Sequence, residues 1–588
     1  MAIRMPIRTS VRTPVIVKLP AWRRRILLGL VLMGFAILLG RGVYLQGIHD
    51  EFYKDKGNAR YSRNLILTSQ RGKITDRNGQ LLAVSMPVDT VWASPPDVVL
   101  DAAKTKQLAN MLGMQEEVIK RKLANTEREF VYLKRRMSPE DAAKVMKLGI
   151  PGIDLRREYK RYYPAGEVTA HMVGFTGPGD KGAGDKGLEG FELALNSALS
   201  GKDGNRRVIK DRSGHIIDDL QAVVVPQDGH DVALALDLRI QYLAHRELQK
   251  AVEANKALAG AIVVLDAKSG EVLAMANVPT YNPNNPVNIK GKTRNRAIID
   301  NYEPGSTLKP VTAAAALESG LYKADTKIQT APGTLKIGPA TIHDTHPQGV
   351  LTVAEMIQKS SNVGAAKIAL TLEKQYMWNI YNQLGLGHVE GVGFPGEAAG
   401  RLRPFKNCKN WRPIEMATMS FGNGISVTLL QMARLYTVFA NEGELRPISL
   451  LKVKEAPVGQ QVFSASTANQ VRSMLEMVVQ PGGTALQAQV LGYRVAGKTG
   501  TSKKLGDHGY INEYVASFVG MAPASNPRFL IAVMIDEPSN GAYYGGVVAA
   551  PVFSAVMGET LRLYAVPPDA PNNNVVLQGN ADDAKEGM

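Results

Sequence analysis

The first strong pattern along the chain is an apolar run at residues 26–40 that contains no charged residue. It continues past Arg41 and Gly42 through Val43, Tyr44, Leu45 and Ile48. A helix that crosses a bilayer needs about 20 mostly apolar residues. The run reaches that length if Arg41 extends its guanidinium to an interface and Trp22 and Tyr44 mark the two ends. A membrane-spanning helix over residues 26–48 is therefore expected. A cleaved signal peptide is the competing reading, but the segment ahead of the run is long and no small-x-small site follows before Gly47.

Beyond this run, periods of two and of 3.6 alternate. Asp76-Arg77-Asn78-Gly79 reads as a hairpin turn with residues 80–84 as the returning strand. Residues 101–112 and 139–146 carry helical patterns. Residues 232–236 read as a strand and 238–254 as a helix. Residues 261–277 read as a hairpin that turns at Lys268-Ser269-Gly270. Residues 429–439 form an apolar helix suited to a core, and 516–521 and 529–535 read as strands. This order fits an α+β fold, an antiparallel sheet with helices on both faces. Residues 567–588 are rich in Pro, Asn, Asp and Gly and hold too few apolar positions to pack, so disorder is expected there.

Composition changes this picture in three places. A chain of 588 residues calls for two or three domains. The net charge of +16 is concentrated at the start, where residues 1–25 hold Arg4, Arg8, Arg12, Lys18, Arg23, Arg24 and Arg25 and no acid. Such a tail can bind nucleic acid. Followed by an apolar run, it instead keeps its own side of the membrane cytoplasmic and sends the rest of the chain across. Cys408 is the single cysteine, so no internal disulfide staples the fold. His343-Asp344-Thr345-His346 is a lone pair of histidines in a turn-like stretch and reads as structural or solvated rather than as a metal site.

The candidate chemistry lies in three short motifs in a fixed order: Ser306-Thr307-Leu308-Lys309, Ser360-Ser361-Asn362 and Lys498-Thr499-Gly500-Thr501. Each is weak alone, and the chain carries a decoy for each: Ser449-Leu450-Leu451-Lys452, Ser62-Arg63-Asn64 and Lys268-Ser269-Gly270. Context separates them. Ser306 follows Glu303-Pro304-Gly305 and leads into an Ala-rich run, so Lys309 lies one helical turn on, on the same face. Ser449 sits in a β-leaning run, where residues three apart point to opposite faces. Read alone, Ser306 is a helix N-cap and Ser360-Ser361-Asn362 a polar turn between the helical readings at 353–359 and 363–370. Together the motifs offer more. A serine hydroxyl attacks only when a neighbour takes its proton. A lysine does that when neutral, a state that burial or a second cation such as Lys498 promotes. Ser360 can relay a proton, Asn362 can hold a substrate amide, and the backbone N–H groups of Ser306 and Thr501 can form an oxyanion hole. Gly497 and Gly500 would let a ligand approach the strand closely.

SxxK, SxN and KTG in this order resemble the signature of penicillin-binding proteins and serine β-lactamases. Flanking phrases narrow the resemblance: Arg294-Asn295-Arg296-Ala297, Glu303-Pro304-Gly305-Ser306-Thr307, Lys359-Ser360-Ser361-Asn362-Val363-Gly364, Tyr544-Gly545-Gly546 and Ala550-Pro551-Val552-Phe553. These are similar to the division-specific class B penicillin-binding proteins of Gram-negative bacteria, which are septal peptidoglycan D,D-transpeptidases. The resemblance runs from about Arg23 to about Ala565, nearly the whole chain.

The resemblance implies a cytoplasmic basic tail at 1–25, an anchor at 26–48, an elongated pedestal at 49–225, a transpeptidase domain at 226–566 and a tail at 567–588. Arg161-Tyr162-Tyr163-Pro164-Ala165-Gly166 and Gly187-Leu188-Glu189-Gly190 are pedestal-like phrases read as scaffolding. It implies Ser306, Lys309, Ser360, Asn362 and Lys498 as catalytic residues and Thr499, Gly500 and Thr501 as binders of the substrate or β-lactam carboxylate. The implied substrates are stem peptides ending in D-Ala-D-Ala, and the chemistry requires no metal or organic cofactor. The implied location is the inner membrane, with a single pass and the catalytic domain in the periplasm. No glycosyltransferase region is recognisable, so the implied partners are a SEDS-type glycan polymerase and other divisome membrane proteins, with no nucleic acid. Three competing readings are an elongation-type or condition-specific paralogue, a β-lactamase or β-lactam sensor, and a non-catalytic divisome scaffold. A class A β-lactamase also needs a glutamate for its deacylating water, and no phrase resembling that loop lies between Asn362 and Lys498.

Overall fold

The computed structural model describes residues 20–48, 62–128, 130–178, 185–210, 216–219, 224–404, 406 and 411–572. The basic tail ahead of residue 20, most of the linker after the apolar run, Cys408 and the tail beyond residue 572 lie outside the described residues. Helix α1 spans Ala21–Val43, and a π-helical turn at Tyr44–Ile48 follows it. The helix thus starts ahead of residue 26, because Trp22 and the arginines that follow join it without a break. None of its residues is buried. At its ends Arg23 lies over the Trp22 ring at 5.3 Å and Arg41 over Tyr44 at 5.6 Å, an arrangement suited to a water–lipid boundary. Gly545–Leu563 is also long and apolar enough to span a bilayer, but 56% of its most apolar window is buried inside the protein, so it is a core element.

The hairpin turn at Asp76 forms as expected. Asp76 Oδ1 accepts from the Asn78 and Gln80 amides at 2.8 Å. The returning strand β1 runs much further than expected, over Leu81–Ala93. It pairs with β2 (Val131–Met137) from Asp89 onward and, along ten residue pairs, with β3 (Ile153–Tyr162), so Pro87 has a partner strand on one side only, where the missing N–H is tolerated. The helices at Ala102–Leu112, Glu116–Leu123 and Pro139–Met146 pack a small separate core beside these strands. The middle one was missed in the sequence, its eight residues being mostly charged. The phrases read as scaffolding converge on one buried carboxylate. Glu192 receives Arg71 Nε on one oxygen and Arg161 Nε on the other, each at 2.6 Å.

Of the strand expected at 232–236, only Val232–Ala233 pairs as a strand, parallel to Ile74–Thr75. Helix α2 (Leu238–Ala254) follows with Asp237 as its cap, and Leu238 N also donates to Asp76 Oδ2 at 3.1 Å. The central sheet comprises β4 (Ala259–Asp266), β5 (Val272–Val278), β6 (Ala496–Gly506), β7 (Gly509–Ala522) and β8 (Phe529–Asp536). Its order is β5-β4-β8-β7-β6 and every pairing is antiparallel. β4, β5 and β8 are buried at every residue, so both faces of the sheet are covered. Alternation along β7 identifies the covers. Phe518 meets Phe553 of helix α7 (Ala550–Leu563) at 4.8 Å between ring centroids. Its neighbour Ser517 faces the other way, toward Gly500 on the serine's side. On that side lie α3 (Lys309–Glu318), α4 (Val353–Lys359), α5 (Asn362–Thr371) and α6 (Leu429–Ala440). The Tyr436 hydroxyl of α6 donates to Thr307 O at 2.7 Å and ties this layer to the serine.

Candidate active site

Ser306 lies in a 3-10 turn, Gly305–Leu308, that runs directly into α3. Pro310 near the start of α3 fits a helix entry, where no N–H partner is needed. Gly305 adopts φ +55°, and its neighbour across the fold, Gly422, adopts φ +86°. A side chain on Gly422 would meet the Gly305 carbonyl oxygen at 2.2 Å, so the two backbones are in direct contact and Gly305 N donates to Gly422 O. No hydrogen bond engages the Ser306 hydroxyl among the described residues. The N-cap reading of this serine therefore fails, and its side chain is left half-buried in the wall of a cavity.

The second motif joins α4 to α5. Ser360 ends α4 in a left-handed conformation, φ 58°. Ser361 caps α5, its hydroxyl accepting from Gly364 N at 2.9 Å. Both features reverse the chain and turn the Ser360 hydroxyl toward two lysines. Lys309 Nζ reaches it at 3.1 Å and also bonds the Ser360 carbonyl, while Lys498 Nζ reaches it at 2.9 Å. Lys498 also donates to Thr499 Oγ1 and O, both at 3.3 Å.

Both lysines are fully buried, and neither has a carboxylate partner in a salt bridge among the described residues. Burial, with the nearby charge of Lys498, pushes Lys309 well below the ordinary lysine range; the more distant Asp344 carboxylate opposes that shift. Burial pushes Lys498 down to about 7. A buried lysine pair sharing one hydroxyl favours the state in which at least one amine is neutral and can accept a proton.

Above the lysines opens a cavity of about 230 Å³ lined by Ser306, Ser360, Asn362, Thr499 and Thr501, among others. Lys309, Lys498 and Gly500 are not in its wall: the lysines lie beneath it. The two glycines also serve the packing of the protein itself. A side chain on Gly500 would meet Ser517 Oγ at 2.4 Å and Pro304 O at 3.0 Å; one on Gly497 would meet the Phe518 ring at 2.4 Å. Both make room for neighbouring protein, Gly500 for the serine turn. Thr499 shares a hydrogen bond with Thr484 at 2.9 Å, and Thr501 Oγ1 accepts from Gly545 N at 3.1 Å.

The decoys are elsewhere. Ser62-Arg63-Asn64 lies on an edge strand paired with residues 204–210. Lys268-Ser269-Gly270 is the tip of the β4–β5 hairpin. Lys452 bonds Arg77 O, away from Ser449, whose hydroxyl bonds Leu451 O.

Sequence reasoning missed several wall residues. Asp344, Thr345 and His346 line the cavity. Reading that stretch as structural fits Asp344, but not its position. Asp344 accepts from the Asn362 and Val363 amides at 2.5 and 2.9 Å and from the Ser361 hydroxyl at 2.7 Å, holding the whole second motif at the start of α5. Asn362 Nδ2 donates to His343 O at 2.9 Å. Phe421, Asn423, Thr484 and Tyr544 complete this part of the wall.

The model of the penicillin-binding protein transpeptidase domain matches residues 260–558, and the penicillin-binding protein dimerisation domain matches residues 66–234. The chain is a class B penicillin-binding protein. It is 42% identical to peptidoglycan D,D-transpeptidase FtsI of Escherichia coli strain K12, over 95% of each chain. It is 43% identical to probable peptidoglycan D,D-transpeptidase PenA of Neisseria gonorrhoeae, over 91% of this chain and 92% of the relative. The transpeptidase domain of Burkholderia pseudomallei penicillin-binding protein 3 superposes with a TM-score of 0.53 at 48% identity, covering 57% of this chain and 98% of that one. In this penicillin-binding protein the apolar α1 fits a single-pass membrane anchor.

Proposed function

We propose that this protein is a peptidoglycan D,D-transpeptidase that cross-links stem peptides at the division septum through an acyl-enzyme on Ser306. The observation that carries this reading is the convergence of Lys309 and Lys498, both buried and unpaired with acid, on the Ser360 hydroxyl beside a cavity that Ser306 lines. Neutral Lys309 takes the Ser306 proton as the serine oxygen attacks the carbonyl of the penultimate D-Ala. The Ser306 and Thr501 amides hold the oxyanion. The C–N bond breaks, and Ser360 and Lys498 return a proton to the departing D-Ala amine. Thr499 and Thr501, in the field of Lys498, bind the terminal carboxylate, and Asn362 holds a substrate amide. An amine of a neighbouring stem then attacks the ester, expels the serine oxygen and closes the cross-link. A β-lactam follows the first half and remains as an acyl group on Ser306.

The same reading assigns residues 1–25 to a cytoplasmic tail, 26–48 to an inner-membrane anchor, 49–225 to the pedestal, 226–566 to the periplasmic transpeptidase domain and 567–588 to a tail; contrary to the expected disorder, its first residues are held to the domain by Asp569, which accepts from the Arg494 and Ser525 amides at 2.7 and 3.2 Å. Glycan polymerisation falls to a membrane-embedded partner of the SEDS type, met with other divisome membrane proteins through the anchor and pedestal. The likeness to FtsI across the whole chain supports the septal assignment over the elongation-type paralogue.

The test is labelling of the full-length chain in detergent with fluorescent penicillin, beside Ser306→Ala, followed over hours. Stable label on the parent and none on the variant is expected. Label that forms and vanishes within minutes would establish a β-lactamase, and no label on a folded parent would leave a scaffold. Depleting the protein from its cells should give filaments; spheres would move it to elongation.

A further inference from the structure

A cluster outside the proton-transfer machinery joins the turn that carries Ser306 to two other segments. Glu303, three residues before the serine, places both carboxylate oxygens in defined bonds. Oε1 accepts from Gly424 N at 2.8 Å. Oε2 accepts from Asn423 Nδ2 at 3.0 Å and from the Tyr510 hydroxyl at 2.8 Å. Asn423 Nδ2 also reaches the Tyr510 oxygen at 3.2 Å. No cation pairs with Glu303 among the described residues, so this carboxylate is held by neutral donors alone.

The three segments that meet at Glu303 each border the reaction. The first is the Glu303-Pro304-Gly305 lead into the serine. The second is the 421–424 loop, whose Phe421 and Asn423 form cavity wall and whose Gly422 touches Gly305 backbone to backbone. The third is the β6–β7 hairpin. Tyr510 pairs with Leu505 near its tip, beyond a register shift that follows Lys503, while the same β6 strand carries Lys498 to Thr501. A hairpin tip that extends past its sheet has few neighbours to fix it. Tyr510 is 51% exposed and Leu505 69%, so the hydrogen bond to Glu303 is the defined contact between this tip and the serine's turn.

We propose that Glu303 and Tyr510 are positioning residues for the acylation step: they latch the β6–β7 hairpin and the 421–424 loop onto the serine's lead and so fix where Ser306 stands relative to the KTGT strand. This rests on the reading of Ser306 as the nucleophile. A latch of this kind acts on the bond-making step and leaves capture of the ligand unchanged, because neither side chain lies in the cavity wall. Losing a charge-assisted hydrogen bond that orients a nucleophile slows attack by about tenfold.

The experiment is single-turnover acylation of the full-length chain by fluorescent penicillin over a range of concentrations, which separates the binding constant from the acylation rate constant. Tyr510→Phe removes one oxygen from a half-exposed ring and retains the fold. We expect its acylation rate constant to fall about tenfold with the binding constant and melting temperature unchanged. Glu303→Gln, which also disturbs the bonds to Gly424 and Asn423, should lower it at least as much, and the double variant should be no worse than Glu303→Gln alone, because the bond to Tyr510 is already lost there. Rate constants within twofold of the parent for both variants would overturn the latch. So would a change confined to the binding constant, or additive losses in the double variant. A folded parent that never labels would instead refute the nucleophile reading, and the latch with it.

Discussion

The buried lysine pair allows one quantitative prediction, made with Lys498→Met. Methionine matches the length of lysine and removes its charge. In the parent, both amines reach one hydroxyl, at 3.1 and 2.9 Å, so they stand no more than about 6 Å apart. At an effective dielectric constant of about 20, two positive charges at that distance repel by about 3 kcal/mol. The charge of Lys498 is one cause of the low pKa of Lys309. While Lys498 carries its charge, burial and that charge hold Lys309 neutral and free to act as the base. Without Lys498, Lys309 holds its own proton to higher pH.

The assay is the acylation rate constant of the full-length chain measured from pH 6 to pH 10. The parent should lose activity on the acid side, as Lys309 becomes protonated. In Lys498→Met that acid limb should move up, so the variant loses more of its rate at pH 7 than at pH 9.5. An acid limb in the same place in both proteins would refute the charge coupling, and with it the case for Lys309 as the base. Stability supplies a second sign. Lys498 has a pKa of about 7 in the folded chain against 10.5 for an ordinary lysine, so the unfolded chain binds more protons between those values. Parent stability should therefore fall as pH drops through that window and level off below it. Urea unfolding of Lys498→Met should show a flatter profile there; equal slopes would show that Lys498 does not titrate in that range.

Three further outcomes follow from named contacts. Asp344→Ala strands the Asn362 and Val363 amides and the Ser361 hydroxyl at the start of α5. It should cost about 2–4 kcal/mol of stability in urea titration, and it should move the acid limb of acylation down, since the carboxylate raises the Lys309 pKa. Gly422→Ala places a methyl 2.2 Å from the Gly305 oxygen at φ +86°; acylation of a chain that still folds should drop by at least about tenfold, and parent-like labelling would show that the serine turn yields freely. Glu192→Ala leaves Arg71 and Arg161 buried without their shared acid; a loss of about 3–5 kcal/mol is expected, read as earlier proteolysis of the segment around Arg161 with the Ser306 label retained.

Much of the fold was legible because its signals are local. The cap and apolar face of α2, and the turn residues at Asp76 and at Lys268, decide their elements without help from distant parts of the chain. β1 was read too short because its far half is held by pairing with β2 and β3, whose partner residues lie 38 or more positions away in sequence. The helix at Glu116–Leu123 escaped because only Ile119 is buried in it. The same division applies to the site. Ser306, Ser360 and Lys498 were recognisable because each motif is short and its context suits one kind of element. Asp344 was not, because what matters is the placement of its carboxylate against amides almost twenty residues later, and an Asp in a turn has many commoner uses.

Gly500 shows how a motif residue can serve the packing of the site. A glycine in a strand beside a pocket suggests close approach of a ligand. Here the space is filled by Ser517, Thr307 and the Pro304 carbonyl, so the glycine lets the serine turn rest on the strand. The consequence reaches beyond one residue. With Gly305 pressed against Gly422, Gly500 beneath Pro304 and Glu303 bonded to Tyr510, the segment before Ser306 is clamped from three sides, while the serine hydroxyl itself makes no hydrogen bond among the described residues. Rigidity is thus placed in the backbone that carries the nucleophile, and freedom is left to the one oxygen that must move from its own proton to a carbonyl carbon. Preorganisation of that kind lowers an acylation barrier without tightening the grip on the substrate, so variants along the clamp should change the acylation rate constant more than the binding constant.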